Sequence, residues 1–433
     1  MEYLCIIVSV AFAAFFYMAT KKIYNAGTIF LSYWTLITFL SSLNLDNATR
    51  VQQSTYGFIL LGLVSFAFGC IVCMLLKHKP RVSEEYNFEI TSYRLLNLAC
   101  IIIVTYSLYR FGLIASYLAQ GIPWGDIRMM HAYAGESGIG TLKGGTWSQV
   151  IHDDIVAPCV YLIAPVFAVE LFLGKRDKKF LLLSLVAMIC YSISSVSRAI
   201  WGFLILYLMM IAIVFLHRRN LSPFVRKWLK RIPIFVIVLF LAIILITRAR
   251  SEDSQVNLIY NMLAYLTGGI NLFDIHMQES IADIRTYGFF TMYGFIYPIF
   301  FVLNYVGILK FPSVFADISA IKLHLEYYVQ ISEHVCMNAY STLFFNFYSD
   351  LGVFGIFLGS FLFGYFCMLA YVYFTRKKNV RTFVCYLILI QFMIFSMARI
   401  YTIYTTRALS LVWLLVLLPR DGKKAMKITF KKI

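Results

Sequence analysis

Long apolar runs separated by short basic turns recur along nearly the whole of this 433-residue chain. A bilayer core about 30 Å thick needs ~20 consecutive apolar residues in a helix. Runs of that order lie at 3–20, 27–43, 55–76, 95–118, 154–173, 180–196, 199–216, 232–247, 340–374, 382–398 and 402–418. Lipid offers no partner to backbone N–H and C=O groups, so each run must close its hydrogen bonds internally as a helix. The expected fold class is an all-α polytopic membrane protein forming one integral domain. Composition agrees, with 61% hydrophobic residues, 14% charged residues and a mean hydropathy of +0.77, whereas a soluble domain carries about 25% charged residues.

The net charge of +17 suggests a nucleic-acid partner only until it is mapped. It is gathered into clusters at Lys21–Lys22, Lys77–Arg81, Lys175–Lys179, Arg218–Arg231, Arg376–Arg381 and Arg420–Lys432, each between apolar runs. Basic residues stay on the cytoplasmic side of a membrane, so the clusters mark cytoplasmic turns and require no nucleic acid. This rule places the N-terminus outside and the C-terminus in the cytoplasm. Two further apolar runs, 256–273 and 287–306, flank the acidic stretch DIHMQESIADIR. They either cross as a hairpin or lie in the outer interface, which gives eleven or thirteen spans. Glu2 and the lack of an early basic residue argue against a cleavable leader. The nine cysteines sit almost all inside apolar runs, and the Cys70–Cys73 pair has no second pair to complete a zinc site.

Two connections on the expected outer face are long, 119–153 and 248–338, while the cytoplasmic turns are short. Loops beyond about 15 residues are usually functional, so the chemistry is expected outside. Arginine dominates there, with Arg50, Arg110, Arg128, Arg198, Arg248, Arg250, Arg285, Arg399 and Arg407 against Lys143, Lys310 and Lys322. Helix capping or interfacial anchoring explains a single arginine. A set of nine points instead to planar recognition of phosphate or carboxylate. Arg198, Arg248, Arg250 and Arg399 sit at the outer ends of spans, a depth at which charge is expensive and marks a site. Trp124, Tyr133, Trp147, Tyr287, Tyr293, Tyr297, Tyr327 and Tyr328 fit either an interfacial belt or faces for sugar rings. Asn338, Thr342, Asn346 and Asp350 recur every four residues and so share one helical face. Such a face is either solvated or a wall donating hydrogen bonds to sugar hydroxyls. The two halves of the chain show no repeat, which counts against repeat-built transporters.

Taken together, YLAQGIPWGDIR, SSVSRAIWGF, ITRARSED and MNAYSTLFFNFYSDLGVFG resemble bacterial oligosaccharide repeat-unit polymerases, the Wzy or O-antigen polymerase family. The resemblance is scattered over about 110–365 and is best at the last stretch. It departs from the pattern at Arg128, where an Arg-x10-Gly spacing meets Ile139. The resemblance implies a GT-C-like membrane glycosyltransferase in the bacterial cytoplasmic membrane. Such an enzyme moves a growing glycan from undecaprenyl diphosphate to the next lipid-linked repeat unit on the outer face, making O-antigen, capsule or exopolysaccharide. It works beside a flippase and a chain-length regulator. The departing diphosphate calls for preorganised cations, for which Arg198, Arg248, Arg250, Arg128, Arg285 and Arg399 are the candidates. The acceptor hydroxyl calls for a base, for which Glu333 and His334 are the candidates and Asp350 the alternative; His276 and His324 sit among residues without pattern. Asn338, Thr342, Asn346 and Trp124 are the candidate glycan contacts. The chain has no D-x-D motif and only the lone adjacent pair Asp153–Asp154, so catalysis is expected to need neither metal nor cofactor. Two other functions suit the same features, a glycan ligase and a flippase of lipid-linked oligosaccharide.

Overall fold

A computed structural model describes residues 1–44, 48–76, 86–122, 127, 146–195, 197–215, 226–227, 229–238, 241, 258–333 and 335–418. The first half contributes α1 (Glu2–Thr20), α2 (Ala26–Ser42), α3 (Gln53–Leu75), α4 (Arg94–Ala119), α5 (Ala157–Phe172), α6 (Lys178–Ser194) and α7 (Ala199–Phe215). The second half contributes α8 (Leu258–Met277), α9 (Tyr293–Tyr305), α10 (Val314–Leu325), α11 (Thr342–Lys377), α12 (Val380–Ile394) and α13 (Thr405–Leu417). A two-stranded antiparallel ribbon, β1 (Val329–Gln330) with β2 (Cys336–Met337), lies between α10 and α11.

The chain is an all-α polytopic membrane protein. Among the described residues, six helices are long and apolar enough to span a bilayer, and four shorter ones are apolar. Half of the run at 232–247 lies outside the described residues. The run at 340–374 is one element, but α11 breaks at Leu351 and Gly352, where φ and ψ leave the helical region. The two runs within 256–306 do not pair as a hairpin. α8 packs on α2, α3 and α11, whereas α9 packs on α13.

Side-chain caps define the short turns. Asn25 accepts from the Thr28 N–H at 2.8 Å, Asp177 from Phe180 at 2.7 Å and Asn379 from Thr382 at 3.0 Å, each satisfying a donor the new helix would leave orphaned. The basic turns then meet at one end of the bundle. Asn87 N donates to the Lys378 carbonyl at 2.9 Å, Lys175 Nζ lies 2.8 Å from Glu89 Oε2, and the Tyr386 hydroxyl donates to the Tyr24 carbonyl at 2.6 Å.

α5 is apolar all round except for Glu170 near its end, which accepts from the Tyr93 hydroxyl and Asp177 N, and it occupies the centre with every residue but Leu171 buried, as such a helix requires. Its neighbours are α4, α6, α7, α12 and α13. The other half is built on α3 against α11, where the backbones touch. A Cβ at Gly69 would collide with the Phe361 carbonyl, and one at Gly364 with the Phe66 carbonyl. Small residues permit this approach between membrane helices. Gly69→Val should therefore lower the thermal midpoint and yield of the purified protein, because overpacking against backbone costs about 1–3 kcal/mol or more. Gly202→Ala, which faces open space, should leave both unchanged.

Candidate functional site

α12 stops at Ile394 and α13 begins at Thr405, and the intervening chain makes two 3-10 turns, Phe395–Met397 and Tyr401–Ile403. Helix breaks strand backbone donors and acceptors, which must be paired when buried. Here the start of α11 supplies partners. The Ala398 carbonyl accepts from Ser341 N at 2.7 Å and Thr342 N at 2.9 Å, and Ile400 N donates to Asn346 Oδ1 at 2.9 Å. Arg399, between these two anchored residues, is buried. Its Nη2 donates to the Ala339 carbonyl, and both terminal nitrogens lie 3.4 Å from Glu326 Oε1.

Further cations stand beside it. The Lys322 ammonium, on α10, sits 3.3 Å from the Tyr293 ring centre and donates to the Ile403 carbonyl at 3.4 Å. Burial pushes the Lys322 amine down to about 7; nearby Arg399 acts in the same direction, and Asp153 and Glu326 oppose it. On α13, the Arg407 guanidinium carbon lies 3.1 Å from the Tyr161 ring centre and 4.6 Å from that of Phe203. Arg407 Nη1 is buried without a hydrogen-bond partner among the described residues.

Asp153 completes the centre and comes from an unusual element. Ile151–Val156 is a π-helical turn leading into α5, a rare form frequently found at functional sites. Asp153 lies within electrostatic reach of Lys322, Tyr293 and Tyr297, while its Oδ1 is 2.7 Å from His152 Nδ1. His152 stacks on Tyr191 at 5.9 Å. An ammonium, two guanidiniums, a carboxylate and several tyrosines thus converge where α5, α9, α10 and α13 meet.

An apolar groove of about 250 Å³ adjoins the centre, lined by Met292, Phe347, Gly355, Gly359, Phe363 and Phe366 along α11 and closed at one end by Ile400 and Thr402. Ile400 is extended, and side chains alternate along extended chain. Ile400 and Thr402 line the groove, whereas Arg399 lies by the Tyr404 ring and Tyr401 lies by Arg407 in the polar centre.

Of the residues expected from sequence, Arg399 is in the centre. Arg198 precedes α7, and its carbonyl accepts from Trp201 N at 3.1 Å, at the same end of the bundle as Phe203. Arg285 bonds through Nη1 to the Ala282 and Ile284 carbonyls and covers the Tyr348 ring at 4.7 Å, beside the break in α11. Glu333 is exposed in the turn of the β-ribbon. Arg128, Arg248, Arg250, Trp124 and His334 lie outside the described residues.

The polar stripe needs correction. Asn338 precedes α11 and its Nδ2 donates to the Glu326 carbonyl at 2.8 Å; Thr342 and Asn346 are fully buried braces of the Arg399 segment. Asp350 Oδ1 accepts from the Thr286 hydroxyl at 2.6 Å, Gly288 N at 3.1 Å and Phe290 N at 3.0 Å, and Oδ2 accepts from Thr291 N at 3.1 Å. A carboxylate so fully engaged ties a loop and is poorly placed to act as a base. Sequence reading names Arg407 only as one of nine outer arginines and Lys322 only as an outer lysine, and gives Asp153 no role. The adjacent Asp153–Asp154 pair was visible, but its meeting with α10 was not.

Comparison of the chain with protein-family models, curated proteins and solved structures gives no match in any of the three.

Asp350→Ala should strand three backbone N–H groups, one buried at Phe290 and two partly buried at Gly288 and Thr291, a buried one costing about 1–3 kcal/mol. The expected result is a large fall in thermal midpoint together with loss of any activity. A stable, inactive Asp350→Ala protein would instead mark a direct chemical role.

Proposed function

We propose that this protein is a membrane glycosyltransferase that polymerises lipid-linked oligosaccharide repeat units on the outer face of the bacterial cytoplasmic membrane. The observation that carries the reading is the shared wall at 399–402, with an apolar groove on one side and a cation-and-tyrosine centre on the other. A ligand matching both is a long apolar chain joined to a polyanionic head that carries a ring-shaped polar group. Polyprenyl diphosphate bearing a glycan has that form, and the motif resemblance points to the same substrate.

In this reading the polyprenyl chain lies along α11. Lys322, Arg399 and Arg407 receive the diphosphate as it leaves the anomeric carbon, with Arg198 at the margin of the centre. Charge stabilisation of this kind is usually the largest catalytic term. Tyr293 and Tyr297, stacked with ring centres 5.0 Å apart, form the aromatic side of the centre, with the Lys322 ammonium over the Tyr293 ring. Asp153 is the carboxylate best placed to take the proton from the acceptor hydroxyl, being near both Lys322 and these rings. The GT-C-like architecture belongs to this reading too, as do the undecaprenyl carrier and a flippase and chain-length regulator as partners. A ligase shares the donor chemistry and differs only in its acceptor.

The surface glycan of a deletion strain tests the assignment. A polymerase defect leaves single repeat units on the surface lipid. A transport defect leaves none, and a ligase defect leaves finished polymer on its carrier. Orientation is tested with Cys336, the one exposed cysteine among those of the described residues. An impermeant maleimide should label it in intact spheroplasts, and Cys336→Ser should remove the signal.

With purified protein and lipid-linked repeat units, Asp153→Asn should slow elongation ~10²–10⁴-fold, the usual loss of a general base, while donor binding persists. Lys322 has its own pH signature. Only the ammonium attracts a diphosphate, so donor affinity should fall as pH rises above about 7, a slope that Lys322→Met abolishes. Stability of the unliganded protein should run the other way. The amine is protonated in the unfolded chain up to its ordinary range but neutral in the fold above about 7, so stability rises with pH between those values.

A further inference from the structure

α10 presents two chemically different faces. Lys322 and Glu326, four residues apart, point to the Arg399 centre. His324, two residues from each, projects from the opposite side, where it meets the end of α8. His276 Nδ1 and His324 Nε2 each lie 2.8 Å from the same oxygen, Glu279 Oε2, and the three ligand atoms lie within 4.8 Å of one another. The His276 side chain is 1% exposed, whereas those of Glu279 and His324 are 34% and 39% exposed. One ligand is thus fixed in the core, and two stand at the solvent edge with room to adjust.

We propose that His276, Glu279 and His324 form a binding site for a divalent transition metal, zinc by its ligand set, which clips α10 to the end of α8. Two imidazoles and one carboxylate are the three-ligand set that leaves zinc a fourth position for water, and the exposed side of the cluster supplies that position. Tetrahedral zinc with bonds of about 2.0–2.2 Å spaces its ligand atoms ~3.3–3.6 Å apart. The two 2.8 Å contacts need to open by roughly 0.5–0.8 Å to reach that spacing, a change within reach of rotation of the two partly exposed side chains. The ligands join α8 and its following turn to a helix 45 residues downstream, so the ion would hold the face of α10 that carries Lys322 and Glu326 in register with Arg399. The proposal departs from the sequence expectation of a metal-free protein. It concerns metal binding itself and stands whichever reaction the centre performs.

The test uses the tag-free full-length protein in detergent, stripped with chelator and then given zinc or cobalt alone. Expected for wild type are one zinc per chain after gel filtration, the visible absorption of low-symmetry cobalt(II), and a thermal midpoint raised by zinc, because an ion that binds only the folded state stabilises it. Glu279→Gln and His324→Gln change partly exposed side chains and should elute as wild type does, but with affinity for zinc reduced at least ~10-fold and no thermal response to it. Wild type that retains no zinc overturns the site, as does zinc binding that persists undiminished in the Glu279→Gln/His324→Gln double variant.

Discussion

Backbone hydrogen bonding in a medium without water governs this structure more than any single side chain. Continuous helices meet the constraint by themselves, but α11 breaks at 351–352 and the chain between α12 and α13 is not α-helical. Side chains of one helical turn of α11 serve two irregular stretches. Asn346 accepts from Ile400 N, and Asp350, four residues on, accepts from the amides of Gly288, Phe290 and Thr291. Removing Asn346 orphans one buried donor, and removing Asp350 orphans three donors in the loop before α9. The irregular backbone at the polar centre exists because α11 pays for it in advance.

That irregularity is what brings charge together. Arg399 reaches Glu326 and Ala339 only because Ala398 and Ile400 are pinned on either side of it. Lys322 approaches from α10 and Arg407 from α13, so the cations come from three elements and are preorganised by different neighbours. Buried charge is tolerable when paired or when a ring face covers it. Glu326 serves Arg399 in the first way, and Tyr293 and Tyr161 serve Lys322 and Arg407 in the second. α5, packed on all sides, gives this cluster a stiff backing.

The sequence showed the helices plainly, because an apolar run long enough to cross a bilayer carries its signal within itself. It also singled out Arg399, since an arginine at the end of a span is costly. The four-residue spacing of Asn338, Thr342, Asn346 and Asp350 suits either a solvated face or a ligand-facing wall, yet Thr342, Asn346 and Asp350 are buried in the fold. Periodicity tells which residues share a face but not what that face meets, and Asn338 is not in the helix at all. Asp153, Lys322 and Arg407 come together across more than 250 residues, and His276 meets Glu279 and His324 where two helices happen to end. Such meetings are properties of tertiary packing, on which local patterns are silent.

The buried position of Arg399 has a consequence for biogenesis. Its partners at Glu326 and Ala339 precede it in the chain, as do Asn346, which accepts from Ile400 N, Asp153 and Tyr161. During synthesis these groups enter the membrane with their bonding capacity unmet, and the segment 399–407 satisfies it only when the turn after α12 folds back. Proper insertion of the late helices and assembly of the charged centre are therefore a single event. A chain stalled before it displays unpaired polar groups, the kind of feature by which membrane quality control tells an unfinished protein from a finished one.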